Sequence, residues 1–439
     1  MSKQKLKGKL NIFEGIDIQS AIESIQLIPH RPSTALNDSN TIEFSIKSGP
    51  DEYVSTENIF LHMKAKLVNK DGTDFSDTLG VANNYAPINY ILNTAFDQLS
   101  IYLGSTLVSQ SSRNYHYLSY IEALTSPTNK YLTTFINGFP QPSGFVSVYS
   151  EDNYGDIDKP DPALIKLCSP KSKIFTVYGR LHGGIFTSEK PLLNGVTIRF
   201  VFSKPPALVS IIGKQGIWTN DTFPQIKILD MCLYVEKVKF SPQLLNAHEK
   251  QLQTQRAVYP IKRPIIKVLN LPSGQTSFAL DNVITGQLPY KIIMGLVSNK
   301  AYVGENNLDS LCFKNYNLNY LALNINGELF PKIPYQPDYA NQNYQRVYFD
   351  FMRNIGALNS DFATQVDYVN YKSSLCLYAF NLNTSFAHNR DYIDITREGF
   401  INIEIKFKEN LSEALKLIVY AIFDNTIQID EHSNISIDY

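Results

Sequence analysis

Two segments, Leu99-Ser-Ile101-Tyr-Leu103-Gly104-Ser105-Thr-Leu107-Val108 and Leu321-Ala-Leu323-Asn-Ile325-Asn326-Gly327-Glu-Leu329-Phe330, read as copies of one unit. In each, apolar residues alternate up to Gly-Ser or Asn-Gly and resume beyond it, which is the pattern of two strands joined by a two-residue turn. The text after each hairpin also repeats. Asn114-Tyr115-x-x-Leu118-x-Tyr120 follows the first and Asn343-Tyr344-x-x-Val347-x-Phe349 the second, both opening aromatic helical patterns. The copies lie 222 and 229 positions apart (321 − 99 and 343 − 114), close to half of the 439 residues. The chain is therefore expected to hold two versions of one β domain in tandem.

Working outward from the first hairpin, Ile42, Phe44 and Ile46 alternate with Glu43, Ser45 and Lys47, and Ile59, Leu61, Met63, Ala65 and Leu67 repeat the pattern up to the Asp71-Gly72 turn. Tyr117, Ile121 and Leu124 recur at helical spacing, with Ser111 or Ser112 as the expected cap and Pro127 beyond. Val196, Ile198, Phe200 and Phe202 form the closing strand of this half. The second half repeats the plan: Ser241 and Pro242 open a helix, Ile266 to Leu271 and Lys291 to Val297 are strands, and Tyr344, Val347, Tyr348, Phe351 and Ile355 form a helix stopped by Gly356. Leu375 to Phe380 is a strand, Gly399 to Phe407 mirrors Gly195 to Phe202, and Leu417 to Phe423 is the last strand.

These signals predict a domain from 41 to 222 and another from 223 to 439, with a strand pair near Ile226 to Phe240 opening the second. Residues 1 to 40 begin with Lys3, Lys5, Lys7 and Lys9 and are expected to form an arm outside the first core, its basic tip a solvated terminus. From Leu124 to Gly195 is 71 positions but from Ile355 to Gly399 only 44, so the first copy carries 27 more. Rich in Gly and Pro, the stretch at about 126–175 is expected to be a long exposed crown loop.

Composition narrows the function. With 44% hydrophobic and 18% charged residues, 27 Tyr and 25 Phe, the chain buries large cores and favours strands. Its net charge of −1 supplies no field for holding nucleic acid by counterion release. Cys168, Cys232, Cys312 and Cys376 are too widely spaced for a metal cluster or a disulfide framework and read as reduced core residues. Neither a signal peptide nor an apolar run long enough to span a bilayer is legible, so an intracellular, soluble product is expected.

Catalytic signatures are missing: no phosphate-cradling glycine loop, nucleophile elbow, H-E-x-x-H or C-x-x-C occurs. The seven histidines are unpaired in sequence. His182, within Gly179-Arg180-Leu181-His182-Gly183-Gly184, stands out because the glycines allow close backbone approach, yet a turn histidine bonded to backbone is the preferred reading over a catalytic one. Glu151, Asp152, Asp156, Asp158 and Asp161 offer oxygens for Ca²⁺ but lack the closing Glu of an EF-hand, so a solvated acidic loop is preferred. Tyrosines at alternating and helical positions are read as core rather than as sugar-stacking platforms. No catalytic, cofactor-binding or metal-binding residue is assigned, and no enzyme activity or cofactor is expected. A hydrolase on the same scaffold would need convergent carboxylates that no spacing singles out.

Several phrases, in order, resemble a known family. They are Asn93-x-x-Phe96-x-Gln98-x-x-x-Tyr102-Leu103, Tyr115-x-Tyr117-x-x-Tyr120-Ile121-Glu122-x-Leu124, Leu192-Leu193-Asn194-Gly195-Val196, Tyr259-Pro260-Ile261, Gly286-Gln287-Leu288-Pro289, Leu377-Tyr378-Ala379-Phe380 and Tyr420-Ala421-x-Phe423-Asp424. Together with Ser241-Pro242 they resemble double jelly-roll major capsid proteins of Polinton/Maverick elements and adintoviruses, in the lineage of adenovirus hexon. The resemblance implies an all-β fold of two tandem jelly-roll sandwiches with short flanking helices. It also implies a homotrimer forming a pseudo-hexameric capsomer that tiles an icosahedral shell. Expected partners are further copies of the chain and a penton or minor capsid protein, with no sequence-specific nucleic acid. The expected location is the virion capsid, made in the host cytoplasm, with the nucleus as one site of assembly. The competing reading from the residues is a carbohydrate-binding β-sandwich, resting on the aromatic content and the acidic loop.

Overall fold

The computed structural model describes residues 19–36, 39–75, 85–109, 113–125, 170–205, 210–213, 224–304, 308–359, 366–383 and 395–438. The strands of the first half are β1 (Ile22–His30), β2 (Thr41–Ile46), β3 (Glu52–Val68), β4 (Tyr85–Pro87), β5 (Gln98–Leu103), β6 (Thr106–Leu107), β7 (Phe175–Arg180), β8 (Ile198–Ser203), β9 (Ile211–Gly213) and β10 (Gln225–Phe240). Those of the second are β11 (Ala257–Leu271), β12 (Ser277–Gln287), β13 (Lys291–Ser298), β14 (Leu318–Ile325), β15 (Glu328–Tyr335), β16 (Leu377–Asn381), β17 (Glu398–Phe407), β18 (Leu415–Ile429) and β19 (Ile435–Asp438). Helices are α1 (Ile91–Thr94), α2 (Tyr115–Thr125), α3 (Pro242–Leu252), α4 (Asn299–Val303), α5 (Gln345–Ile355) and α6 (Tyr368–Ser373).

Alternation places the apolar set of each strand inward. Ile42, Phe44 and Ile46 on β2, Ile59 to Leu67 on β3, and Ile198, Phe200 and Phe202 on β8 are all buried while their neighbours point out. Four sheets result, ordered β1-β10-β3-β7, β2-β8-β5-β6, β11-β18-β13-β16 and β12-β17-β14-β15, and all their strand pairings are antiparallel. Setting aside the short β4/β9 pair and β19, the eight remaining strands of each half pair as first-eighth-third-sixth and second-seventh-fourth-fifth. Eight antiparallel strands wound into two such sheets make a jelly roll. The chain is a double jelly roll, all-β with short flanking helices. Proline marks the sheet edges: Pro29, Pro260 and Pro264, and Pro331 and Pro334 sit on the outer strands β1, β11 and β15, where a missing N–H breaks no ladder.

Both hairpins form as expected. Leu103 pairs with Thr106 and Ile325 with Glu328, leaving two residues in each turn. Asn326 and Gly327 have φ of 51° and 90°, the doubly positive pattern of a type I′ turn, and Asn326 Oδ1 accepts the Phe400 amide at 2.9 Å, tying the turn to β17. A Cβ at Gly327 would touch nothing within 4 Å, so Gly327→Ala tests backbone strain alone. It is expected to lower unfolding free energy by about 1 kcal/mol; an unchanged urea midpoint would refute the turn assignment.

Two expectations are corrected. Residues 22–30, placed in an arm, form β1 along β10 (Ile25 opposite Val238, His30 opposite Leu233). Gln225–Phe240, placed in the second half, is hydrogen-bonded between β1 and β3 and is the last strand of the first sandwich. Period-2 alternation makes 225–240 a strand but does not say which sheet receives it. The expected caps Ser111 and Ser112 lie outside the described residues; the carbonyl of Asn114, at φ 84°, receives the first amides of α2, those of Tyr117 and Leu118. Gly356 closes α5 as expected.

Candidate functional site

The feature that sets this chain apart from a lone jelly roll is the seam between its two sandwiches. It is built on α2. Tyr115 to Ile121, Ala123 and Leu124 are all buried, although a helix on the flank of one sandwich would bury only a stripe. The other faces are covered by the second sandwich. Tyr117 stacks on Tyr302 of α4 with ring centroids 6.0 Å apart and meets Phe313 at 6.2 Å, while Tyr120 stacks on Phe313 at 6.4 Å. Phe313 lies flat because Gly295 of β13 has no side chain beneath it: a Cβ there would overlap the ring and sit 2.9 Å from Leu377 Cδ2.

Polar contacts fix the register of the two halves. The Tyr302 hydroxyl donates to Asn114 Oδ1 at 3.1 Å, and the Leu193 amide donates to the Tyr259 hydroxyl at 3.2 Å. The Lys262 amide donates to Thr187 Oγ1 at 3.0 Å, and Lys190 Nζ to the Val258 carbonyl at 2.9 Å. Here the seam engages β11, the outer strand of its sheet.

His182 belongs to this seam. Its amide donates to the Tyr115 hydroxyl at 3.1 Å, which donates to Asn93 Oδ1 at 3.0 Å, and Asn93 Nδ2 donates to the Arg180 carbonyl at 3.1 Å. Its ring bonds the Tyr90 hydroxyl and lies 3.6 Å from Glu122 Oε1. Glycine on its far side serves a packed junction: a Cβ at Gly184 would lie 2.6 Å from the Lys262 carbonyl oxygen of β11. His116, the second residue of α2, is buried with Nδ1 3.9 Å from Asp97, and burial pulls its pKa down to about 3.

The other sequence candidates resolve similarly. Tyr85, Tyr117, Tyr120, Tyr371 and Tyr378 are among the most deeply buried side chains, so these aromatics are core. Cys232, Cys312 and Cys376 are buried free thiols. Cys376 Sγ lies 3.2 Å from the Tyr339 hydroxyl, and burial pushes its pKa up to about 11, the reverse of what a nucleophile needs. Among the described residues no group of His, Cys, Asp and Glu could hold a metal ion, and no helix is long and apolar enough to cross a membrane. The acidic run 151–161, Cys168 and all of the crown loop before Pro170 lie outside the described residues. Phe313, Tyr302 and Tyr259 carry the second half's side of the seam and were invisible as such in sequence, because nothing local distinguishes a seam aromatic from a core one.

No family profile matches the chain. An uncharacterized Caenorhabditis elegans protein, F54H12.2, is 20% identical over 407 residues, covering 90% of this chain and 93% of that protein. Among solved structures, a chain of the Sputnik virophage superposes with a TM-score of 0.65 at 12% identity, covering 100% of this chain and 92% of that one. The Faustovirus major capsid protein superposes with a TM-score of 0.53 at 9% identity, covering 97% and 94%. Of these two neighbours, the Faustovirus chain is a viral major capsid protein. In this double jelly roll, the seam joins two equivalent units side by side within one chain.

Proposed function

We propose that the chain is a structural major capsid protein, of the Polinton/Maverick and adintovirus type, that trimerises into a pseudo-hexameric capsomer tiling an icosahedral shell. The carrying observation is that one strand order occurs twice and the two sandwiches are locked side by side, so each chain supplies two of six equivalent units. On this reading the units divide at α3, after Phe240, with the crown loop on the outer face. The work is self-association rather than catalysis; partners are further copies and a penton or minor capsid protein. The product resides in the virion capsid, after synthesis in the host cytoplasm.

Light scattering with electron microscopy of the purified protein tests this. Trimers with three-fold outlines, or shells, are expected. A persistent monomer under assembly-promoting salt and concentration overturns it.

A further inference from the structure

The duplicated halves are not equally covered. The outer face of the second sandwich's β11-β18 pair is closed by α2 of the first, which packs on both strands, and Tyr420 of β18 is 2% exposed. In the first sandwich β1 and β10 hold the places of β11 and β18. There Ile25, Leu27 and Leu229 stand 54%, 47% and 37% exposed.

The helices show the complementary asymmetry. Aligning Asn114-Tyr115 with Asn343-Tyr344 sets Tyr115 opposite Tyr344 and Leu118 opposite Val347, all buried in their own halves. It also sets Tyr120, which is buried against Phe313 in the seam, opposite Phe349, which is 56% exposed. α5 thus carries an aromatic residue at one of the two seam positions of α2, and Arg346 at the other, opposite Tyr117. Leu358, just after α5, and Val369, on α6, are exposed as well.

We infer that the Phe349 face of α5 docks on the exposed Leu27 part of the β1-β10 face of another copy of this chain, beyond the Val238 and Phe240 end that His248 of α3 covers, as a contact between chains like the one α2 makes within one. This rests on the capsid reading and names the surfaces it would use. The two faces differ, so the interface is heterologous: each copy offers one donor face and one acceptor face, and the repeat closes into a ring when the step between sandwiches is regular. A large apolar residue exposed among charged neighbours, as Phe349 is beside Arg346 and Asp350, suits an association surface with a polar rim.

Phe349→Asp and Leu27→Asp, each at an exposed position, separate the possibilities. Each variant alone is expected to sediment as a monomer with the wild-type circular dichroism spectrum and melting temperature. Mixed one to one they are expected to form a heterodimer, because the Leu27→Asp chain keeps a good helix face and the Phe349→Asp chain a good sheet face. A trimeric wild type with both variants also trimeric overturns this interface and leaves the capsid reading standing. Monomeric variants that fail to pair on mixing overturn the heterologous arrangement. A wild type that never associates overturns both.

Discussion

Gly295→Val is expected to lower the unfolding free energy by about 3 kcal/mol, the upper end of what overpacking a core costs. β13 is buried from Ile292 to Ser298, so the added side chain has no solvent to turn toward. Its Cβ would sit 2.8 Å from Phe313 Cε1 and 2.9 Å from Leu377 Cδ2. The Phe313 ring must then lift, and Tyr117 and Tyr120 of α2 lose the surface they rest on. Damage at one backbone position in the second sandwich therefore reaches the first. Urea denaturation measures the loss, and limited proteolysis should show faster cutting in the 241–256 connection as the halves part. Phe313→Ala alone is expected to cost about 3–5 kcal/mol by leaving a cavity. Because the same ring is at issue, the double variant should be less destabilised than the two losses added together. Strict additivity, or an unchanged midpoint for Gly295→Val, would mean that Phe313 does not hold the seam.

The second large effect depends on pH. His116 is held neutral in the fold, its pKa brought to about 3 from 6.5 by burial, whereas the unfolded chain protonates near the ordinary value. Asp97 at 3.9 Å is the nearest carboxylate, and Arg113 lies on its far side, 3.9 Å from its other oxygen. Between these pH values the unfolded state binds the extra proton. The His116 contribution is therefore complete above about pH 6.5 and is lost as pH falls toward 3, at about 1.4 kcal/mol per pH unit for one proton. Burial lowers the pKa of His30 and of His62 too, so both add loss of the same sign. Comparing urea unfolding of wild type and His116→Gln from pH 7 to pH 4.5 isolates the term: the variant should lose stability less steeply by about one proton's slope. Parallel curves would show that the ring is charged or solvated in the native state.

Much of this architecture was legible because it is local. Alternation at Ile42-Phe44-Ile46 and Ile198-Phe200-Phe202, and turn chemistry at Asn326-Gly327, need only a few neighbouring residues to be recognised. What escaped was partner choice. Gln225–Phe240 alternates equally well whichever sheet it joins, and only pairing with β1 and β3, residues far away in sequence, assigns it. β1 was harder still. As an outer strand its Ile25 and Leu27 face outward, so its apolar residues do not follow the alternation of a half-buried strand. The seam was visible only indirectly: the repeated Asn-Tyr helix starts gave the duplication, but that Tyr120 is enclosed while Phe349 is bare depends on which helix has a sandwich beside it. His182 was read as a turn histidine bonded to backbone, but its ring meets the side chains of Tyr90 and Glu122 and its amide the Tyr115 hydroxyl, partners too far away in sequence to have been named.

The continuous burial of Ile292 to Val297 and of Leu417 to Phe423 bears on synthesis at the ribosome. A strand enclosed on both sides cannot be content in water with one side bare. The first sandwich has all of its strands once Phe240 has emerged, before any strand of the second exists. The nascent chain thus presents a finished platform onto which the greasier sheet is laid as it appears, keeping brief the interval in which that sheet could stick to another polypeptide. A circular permutant that makes residues 257–438 first is therefore expected to precipitate during translation while the natural order stays in solution.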